Sequence, residues 1–235
     1  MWSAFWQNLV NDKGETKLKP ITIHSIYVGQ PQTLSDDKGE WRSSIYRTLV
    51  NGPIELGERG LAGDRVTDTK HHGASFQAVC CHSLDHYDFW NSHYEIAGSE
   101  QALGPGSVGE NWTLLHADEG AICVGDIYAV GTARVQVSGP RYPCAKQERK
   151  VGLKGFTKRS KEMLRTGFYL STLSAGTVQA GDMWALEARP NPTVPLRLVN
   201  ETAFLTKDPS AVRRLLDTPE LNDGWKRMLR RLPKR

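Results

Sequence analysis

The stretch Gly125-Asp126-Ile127-Tyr128-Ala129-Val130-Gly131-Thr132-Ala133-Arg134-Val135-Gln136-Val137-Ser138 decides the fold class. Gly-Asp opens a turn and residues 127–130 form a short β-rich run. Gly131-Thr132 turns the chain back, and residues 133–138 then alternate, with Val135 and Val137 on one face and Arg134 and Gln136 on the other. That period of two belongs to a half-buried strand. Working outward, short β-rich runs recur at 21–28, 77–81, 122–124, 168–173 and 183–187, and Gly181-Asp182 repeats the Gly-Asp opening before the last of them. Many short strands with close turns predict a barrel or a sandwich.

Helical spacing is sparser. Ser83 is placed to cap a helix over 84–90, and a second is expected over 157–165. Three prolines within residues 188–195 mark a stiff extended connector. Beyond it, a helix near 196–205 and two start signals, Asp208-Pro209 and Thr218-Pro219, predict three helices whose apolar seam holds Leu215, Trp225, Met228 and Leu232. The expected organisation is an N-terminal segment (1–20), a mainly β domain with some helix (21–190) and a three-helix extension (191–235).

Of the 235 residues, 39% are hydrophobic and 24% charged, the composition of a folded chain. Apolar runs are short and the start lacks an export signal, so membrane spans are not expected. The four cysteines then read as reduced thiols in the cytoplasm. Residues 196–235 hold ten basic and five acidic groups, so the whole formal charge of +4 lies there. Solvated helix faces account for that excess more simply than nucleic-acid binding does.

Cys144 follows a strand in Gly139-Pro140-Arg141-Tyr142-Pro143-Cys144, on a loop stiffened by two prolines. Arg141, Lys146, Arg149 and Lys150 are its neighbours in sequence, and cations favour thiolate, the form that attacks electrophiles or binds soft metals. An ordinary cysteine beside a surface charge cluster is the plainer reading. His71-His72 in a Gly-rich connection suits hydrogen bonding to an anionic or heteroaromatic ligand; zinc spacing is absent, and exposed loop histidines would look the same. The glycine-rich run 104–109 ends in Glu110-Asn111, where backbone N–H groups could approach a ligand and an amide could read a ring edge. No Lys-Ser/Thr follows it, and no Gly-x-Gly-x-x-Gly opens a helix, so phosphate-loop, nicotinamide and flavin sites are not expected. Cys80, Cys81 and Cys123 sit in apolar runs as small buried hydrophobes.

Gly-Leu-Ala-Gly-Asp (60–64), Asp68, His-His-Gly (71–73), Val-Gly-Glu-Asn (108–111), Pro-Arg-Tyr-Pro-Cys (140–144), Arg-Thr-Gly-Phe-Tyr (165–169) and Ala-Gly-Asp (180–182) together resemble the MOSC-domain family. The likeness is to its bacterial YiiM-type form, in which a three-helix extension follows the domain. It implies an α+β chain built on a strongly curved β-barrel that binds the molybdenum cofactor (molybdopterin), with a cysteine thiolate as the protein ligand to molybdenum. Cys144 matches that catalytic, metal-binding position. As cofactor contacts the resemblance implies Ser44, Arg47, His71, His72, Asn111, Arg141, Lys146 and Thr166. It further implies reduction of small N-hydroxylated compounds, including hydroxylamino-purine base analogues, with electrons from a separate reductase; a homodimer is compatible with it. Two departures stand out: Ala74-Ser75-Phe76 follows His-His-Gly where the family has a second Gly and an acid, and Ser44-Ile45-Tyr46-Arg47 stands where relatives show an Arg-Lys pair. The alternative expectation is a carrier that holds the cofactor or a persulfide on Cys144 without turnover.

Overall fold

A computed structural model describes residues 19–69 and 73–233. The expected ligands His71 and His72 lie outside the described residues. In chain order the elements are β1 (Thr22–Val28), β2 (Gln32–Asp36), β3 (Gly39–Ser43), β4 (Thr48–Leu49), β5 (Ile54–Gly57), β6 (Gly60–Leu61), β7 (Val79–Ser83), α1 (Asp85–His93), β8 (Trp112–Leu115), β9 (Ile127–Val130) and β10 (Ala133–Pro140). Then come α2 (Ala145–Val151), α3 (Phe156–Glu162), β11 (Phe168–Ser174), β12 (Gly176–Val178), β13 (Trp184–Ala188), α4 (Leu196–Glu201) running into a π-turn (Thr202–Thr206), α5 (Pro209–Leu216) and α6 (Asp223–Arg230).

Eight strands form one mixed sheet in the order β13-β9-β10-β11-β7-β8-β1-β4, antiparallel except for the β7–β8 pair. Register shifts in β1–β8 and twice in β10–β11 bend it, because each extra residue raises the local twist. The bend brings β13 back to β1: Trp184 N–H donates to Ile21 O (2.8 Å) and Gly181 N–H to Ile23 O (2.8 Å). The sheet therefore curls on itself, which decides for a barrel over a sandwich. Its interior holds Trp112, Tyr128, Phe168 and Trp184; Trp112 and Phe168 meet Trp184 edge to face and Tyr128 meets it tilted, at 5.1 to 6.3 Å. Each such ring contributes on the order of 2–3 kcal/mol by leaving water.

Three readings change. Residues 122–124 form no strand; Val124 N–H donates to Val194 O and Leu196 N–H to Ile122 O, so this run holds the proline-rich connector against the body. Ser83 ends β7 and leaves α1 without a side-chain cap. The last helix starts at Asn222, whose Oδ1 accepts Trp225 N–H (3.1 Å), and not at Thr218. Asp208, by contrast, caps α5 through Ala211 N–H (2.8 Å) with Pro209 in the first turn. Leu196, Val199, Ala203, Leu215, Leu221, Trp225 and Leu229 of the C-terminal helices belong to the same apolar core as the sheet, with Met228 and Leu232 packed on it. No helix among the described residues is long and apolar enough to cross a membrane.

Candidate functional site

Strand β10 delivers the Cys144 loop. Pairing with β11 persists one residue beyond the strand, where Arg141 N–H donates to Gly167 O (2.8 Å), and α2 starts directly after Cys144, whose carbonyl accepts Gln147 N–H (3.0 Å). From the other side α6 grips the strand end: Asn222 Nδ2 donates to Ser138 O (3.0 Å) and Trp225 Nε1 to Pro140 O (2.6 Å). Gly139 is needed there. Its φ of +144° is unfavourable for other residues, and a Cβ would stand 2.9 Å from Asn222 Nδ2 and 3.0 Å from Trp225 Cδ1. The half-buried Cys144 is thus held from both sides of its loop.

Its thiol borders a cleft of about 700 Å³, together with the expected Ser44, Arg47, Asn111, Arg141 and Lys146. The structure therefore brings Cys144 and these five side chains to one place, although up to a hundred residues separate them in sequence. Their hydrogen bonds differ from expectation. Asn111 is spent on structure: Oδ1 accepts Cys80 N–H (3.1 Å), while Nδ2 donates to Tyr27 O (3.1 Å) and Asp64 Oδ2 (3.0 Å). Asp64 is the hub, also pairing with Arg47 (3.2 and 3.3 Å) and accepting Gly29 N–H (2.7 Å). Arg47 further donates to Gly109 O (2.6 Å), and Ser44 Oγ meets Thr67 Oγ1 (2.8 Å). Lys146 Nζ reaches Arg42 O (2.9 Å).

Arg141 is the exception. It is only 5% exposed, and its Nη1 has no hydrogen-bond partner among the described residues. A buried guanidinium nitrogen without a partner calls for an acceptor from a ligand. The cationic run around Cys144 therefore divides. Arg141 and Lys146 face the cleft, whereas Arg149 pairs with Asp36 and lies 4.5 Å over Trp41, and Lys150 donates to Gly106 O, so both tie α2 to neighbouring loops. The glycine-rich loop is likewise committed inward: Gly106 N–H goes to Glu110 Oε1 (2.8 Å) and Gly104 N–H to Ser107 Oγ (2.9 Å).

Thr166 does not border the cleft. It is fully buried, accepts Asn200 Nδ2 (2.9 Å) and donates to Gly167 O (3.0 Å). It belongs to a sealed polar chamber with His82, His86 and Glu119. Burial pushes the Glu119 carboxyl up to about 8, although Gly167 N–H donates to it at 2.6 Å. Burial also holds His82 down to about 3 and His86 well below the usual range. The 4.0 Å approach of His86 Nδ1 to Glu119 is therefore between two neutral groups at pH 7. Both ring nitrogens of His82, Glu119 Oε2 and Asn200 Oδ1 lack partners among the described residues.

The cleft wall also includes Cys80 and Tyr169, which sequence reasoning placed in strand interiors. Burial pushes the Cys80 thiol up, against the pull of Arg141 and Arg47, so it stays protonated. A second groove, about 890 Å³, adjoins the cleft at Cys144, Lys146 and Tyr169 and runs between the sheet and α6. Phe76, Tyr142, Trp225 and Met228 give it apolar walls, and the exposed Arg227 and Arg231 stand at its rim.

The sheet curls, one loop thiol borders a cationic cleft, and residues 68–184 match the MOSC domain model. The chain is a MOSC-domain protein, and MOSC domains are associated with molybdenum cofactor binding. It is similar to YflK of Bacillus subtilis, 29% identical over 211 residues that cover 89% of this chain and 93% of that one. The crystal structure of YiiM from Geobacillus stearothermophilus superposes with a TM-score of 0.75 at 29% identity, over 90% of this chain and 98% of that one. A Gibberella moniliformis protein named Reductase is 31% identical over 155 residues, 66% of this chain but 27% of its own length.

The donor set fits the implied cofactor. Among the described residues no group of three His, Cys, Asp or Glu side chains could hold a metal ion. A metal at Cys144 must bring its remaining ligands with it, as a metal carried by a dithiolene does. Arg141 Nη1 would then be the donor available to an anionic part of that group.

Proposed function

We propose that this protein is an oxidoreductase that reduces small N-hydroxylated compounds, such as hydroxylamino-purine bases, with electrons from a separate cytoplasmic reductase. The observation that carries the reading is the Cys144 thiol on a loop fixed from both sides, beside a buried guanidinium with a free donor. Cys144 Sγ would be the protein's ligand to molybdenum, and Arg141, with Lys146 at the cleft mouth, would hold the pterin phosphate through charge-assisted hydrogen bonds. Ser44, Arg47 and Asn111 would shape the cleft wall and keep it rigid through Asp64. When bound, the cofactor supplies two-electron chemistry. The net reaction takes up two electrons and two protons, breaks the N–O bond, and releases an amine and water.

Cys144→Ser tests the assignment, because a hydroxyl is a harder and far less acidic ligand than a thiol. Protein made in a host able to synthesise the cofactor should lose its molybdenum and at least a hundredfold of its N-reductive activity, with an unchanged melting temperature. Molybdenum content equal to wild type would overturn the metal-ligand role.

A further inference from the structure

Cys144 borders two adjoining spaces of different character, which also share Asp68, Gln77, Lys146 and Tyr169. The cleft is polar and cationic. The groove beyond it is floored by Pro140, walled by Phe76, Tyr142 and Met228, and edged by Arg227 and Arg231. Tyr142, at 48% exposure, borders the groove; Phe204 and Trp225 (5.7 and 6.0 Å) back it, and Lys161 Nζ, which does not border the groove, covers one ring face at 4.4 Å. A fixed aromatic wall favours a flat ring by stacking and by apolar contact. Neither Arg227 nor Arg231 makes an ion pair among the described residues, although Asp223 borders the same groove. Two unpaired guanidinium groups one turn apart on α6 and its end favour a phosphate or carboxylate.

Resting on the reductase reading, we propose that the groove between α6 and the sheet is the substrate site, and that it takes a flat heteroaromatic ring carrying an anionic tail. The ring lies against Tyr142 and Met228 with its reactive edge toward Cys144, and the tail reaches Arg227 and Arg231. The preferred form of the substrate is then the nucleotide and not the free base. The C-terminal helix supplies specificity as well as support.

Adenosine 5′-monophosphate and adenosine, neither of which can be reduced, serve as probes in calorimetric titrations of full-length protein carrying its cofactor. The nucleotide should bind at least tenfold more tightly than the nucleoside. The double variant Arg227→Ser/Arg231→Ser, at exposed positions, should erase that difference and leave nucleoside binding unchanged. Tyr142→Ser should weaken both ligands severalfold. Equal affinity for the two probes, a nucleotide preference that survives the double variant, or displacement of both by inorganic phosphate at the same concentration would each overturn the proposal. The readout is binding, so a failure to reduce N-hydroxy groups leaves it standing, and a failure to bind nucleotides leaves the reductase reading standing.

Discussion

The cleft and the sealed chamber are built from the same strands, yet they use polar residues in opposite ways. In the cleft, charge is kept charged: Arg47 pairs with Asp64, and Arg141 keeps a donor free beside an opening. In the chamber, burial works against charge: it pushes the Glu119 carboxyl up to about 8 and holds His82 down to about 3 and His86 well below the usual range. One residue separates Thr166 from Phe168 at the start of β11, and Tyr169 from that strand borders the cleft while Thr166 faces the chamber. A polar motif in a curled sheet thus serves chemistry or packing according to which side of the sheet its side chain meets.

The sharpest way to break the contrast is to empty the cleft of its free cation. Arg141→Met should lower cofactor content at least tenfold in protein purified from a competent host, while the cofactor-free melting temperature holds or rises, because a buried charge without a partner is removed. A fall in that temperature with full cofactor content would make Arg141 structural only. Thr166→Val tests the chamber. It orphans Asn200 Nδ2, which costs about 2 kcal/mol, or roughly 4–8 °C for a chain of this size. Cofactor content at a temperature where the variant is folded should be unchanged; a matching loss of cofactor would put Thr166 back among the cofactor contacts.

Glu119→Gln has a smaller effect with a characteristic pH dependence. The folded state keeps a proton on Glu119 up to about pH 8, whereas the unfolded chain releases it near the ordinary carboxyl value of 4.5. Wild-type stability therefore declines as pH rises through that window. The variant, which cannot ionise, should gain on wild type as pH rises through that window, with the gain vanishing near pH 5 in thermal melts. His82 acts in the other direction. Its folded value near 3 lies below the unfolded 6.5, so its contribution is lost as pH falls from about 6.5 toward 3. The mildest change is Trp225→Phe, which removes the bond to Pro140 O for about 1 kcal/mol. It should speed alkylation of Cys144 by iodoacetamide severalfold without unfolding the protein.

Much of the sheet was legible because its strands alternate: residues 127–130 are strand β9, and 133–138 lie within β10. The hairpin β2–β3 escaped notice because nearly all its side chains are solvated, which leaves no apolar period to read; its one signal was the Asp36–Gly39 turn, where Lys38 N–H bonds Asp36 Oδ1. Cys144, Arg141 and Lys146 were legible as a cluster because they are neighbours in the chain. Asp64 as the hub was not, since its partners Gly29, Arg47 and Asn111 lie in three separate segments and only the fold collects them. Which cationic neighbours of Cys144 face the cleft also depended on the turn of α2, a helix with no apolar stripe to announce it.

The grip of Asn222 and Trp225 on the end of β10 sets an order of events during synthesis. The ribosome makes the chain from the N-terminus at about 5–20 residues per second, so the sheet and the Cys144 loop emerge before the helix that fixes them. Until Asn222 and Trp225 clear the exit tunnel, the loop lacks its second support. Any cofactor that needs the fixed loop would then have to wait for this grip, and ribosome-bound chains stalled before residue 222 should stay empty however much cofactor surrounds them.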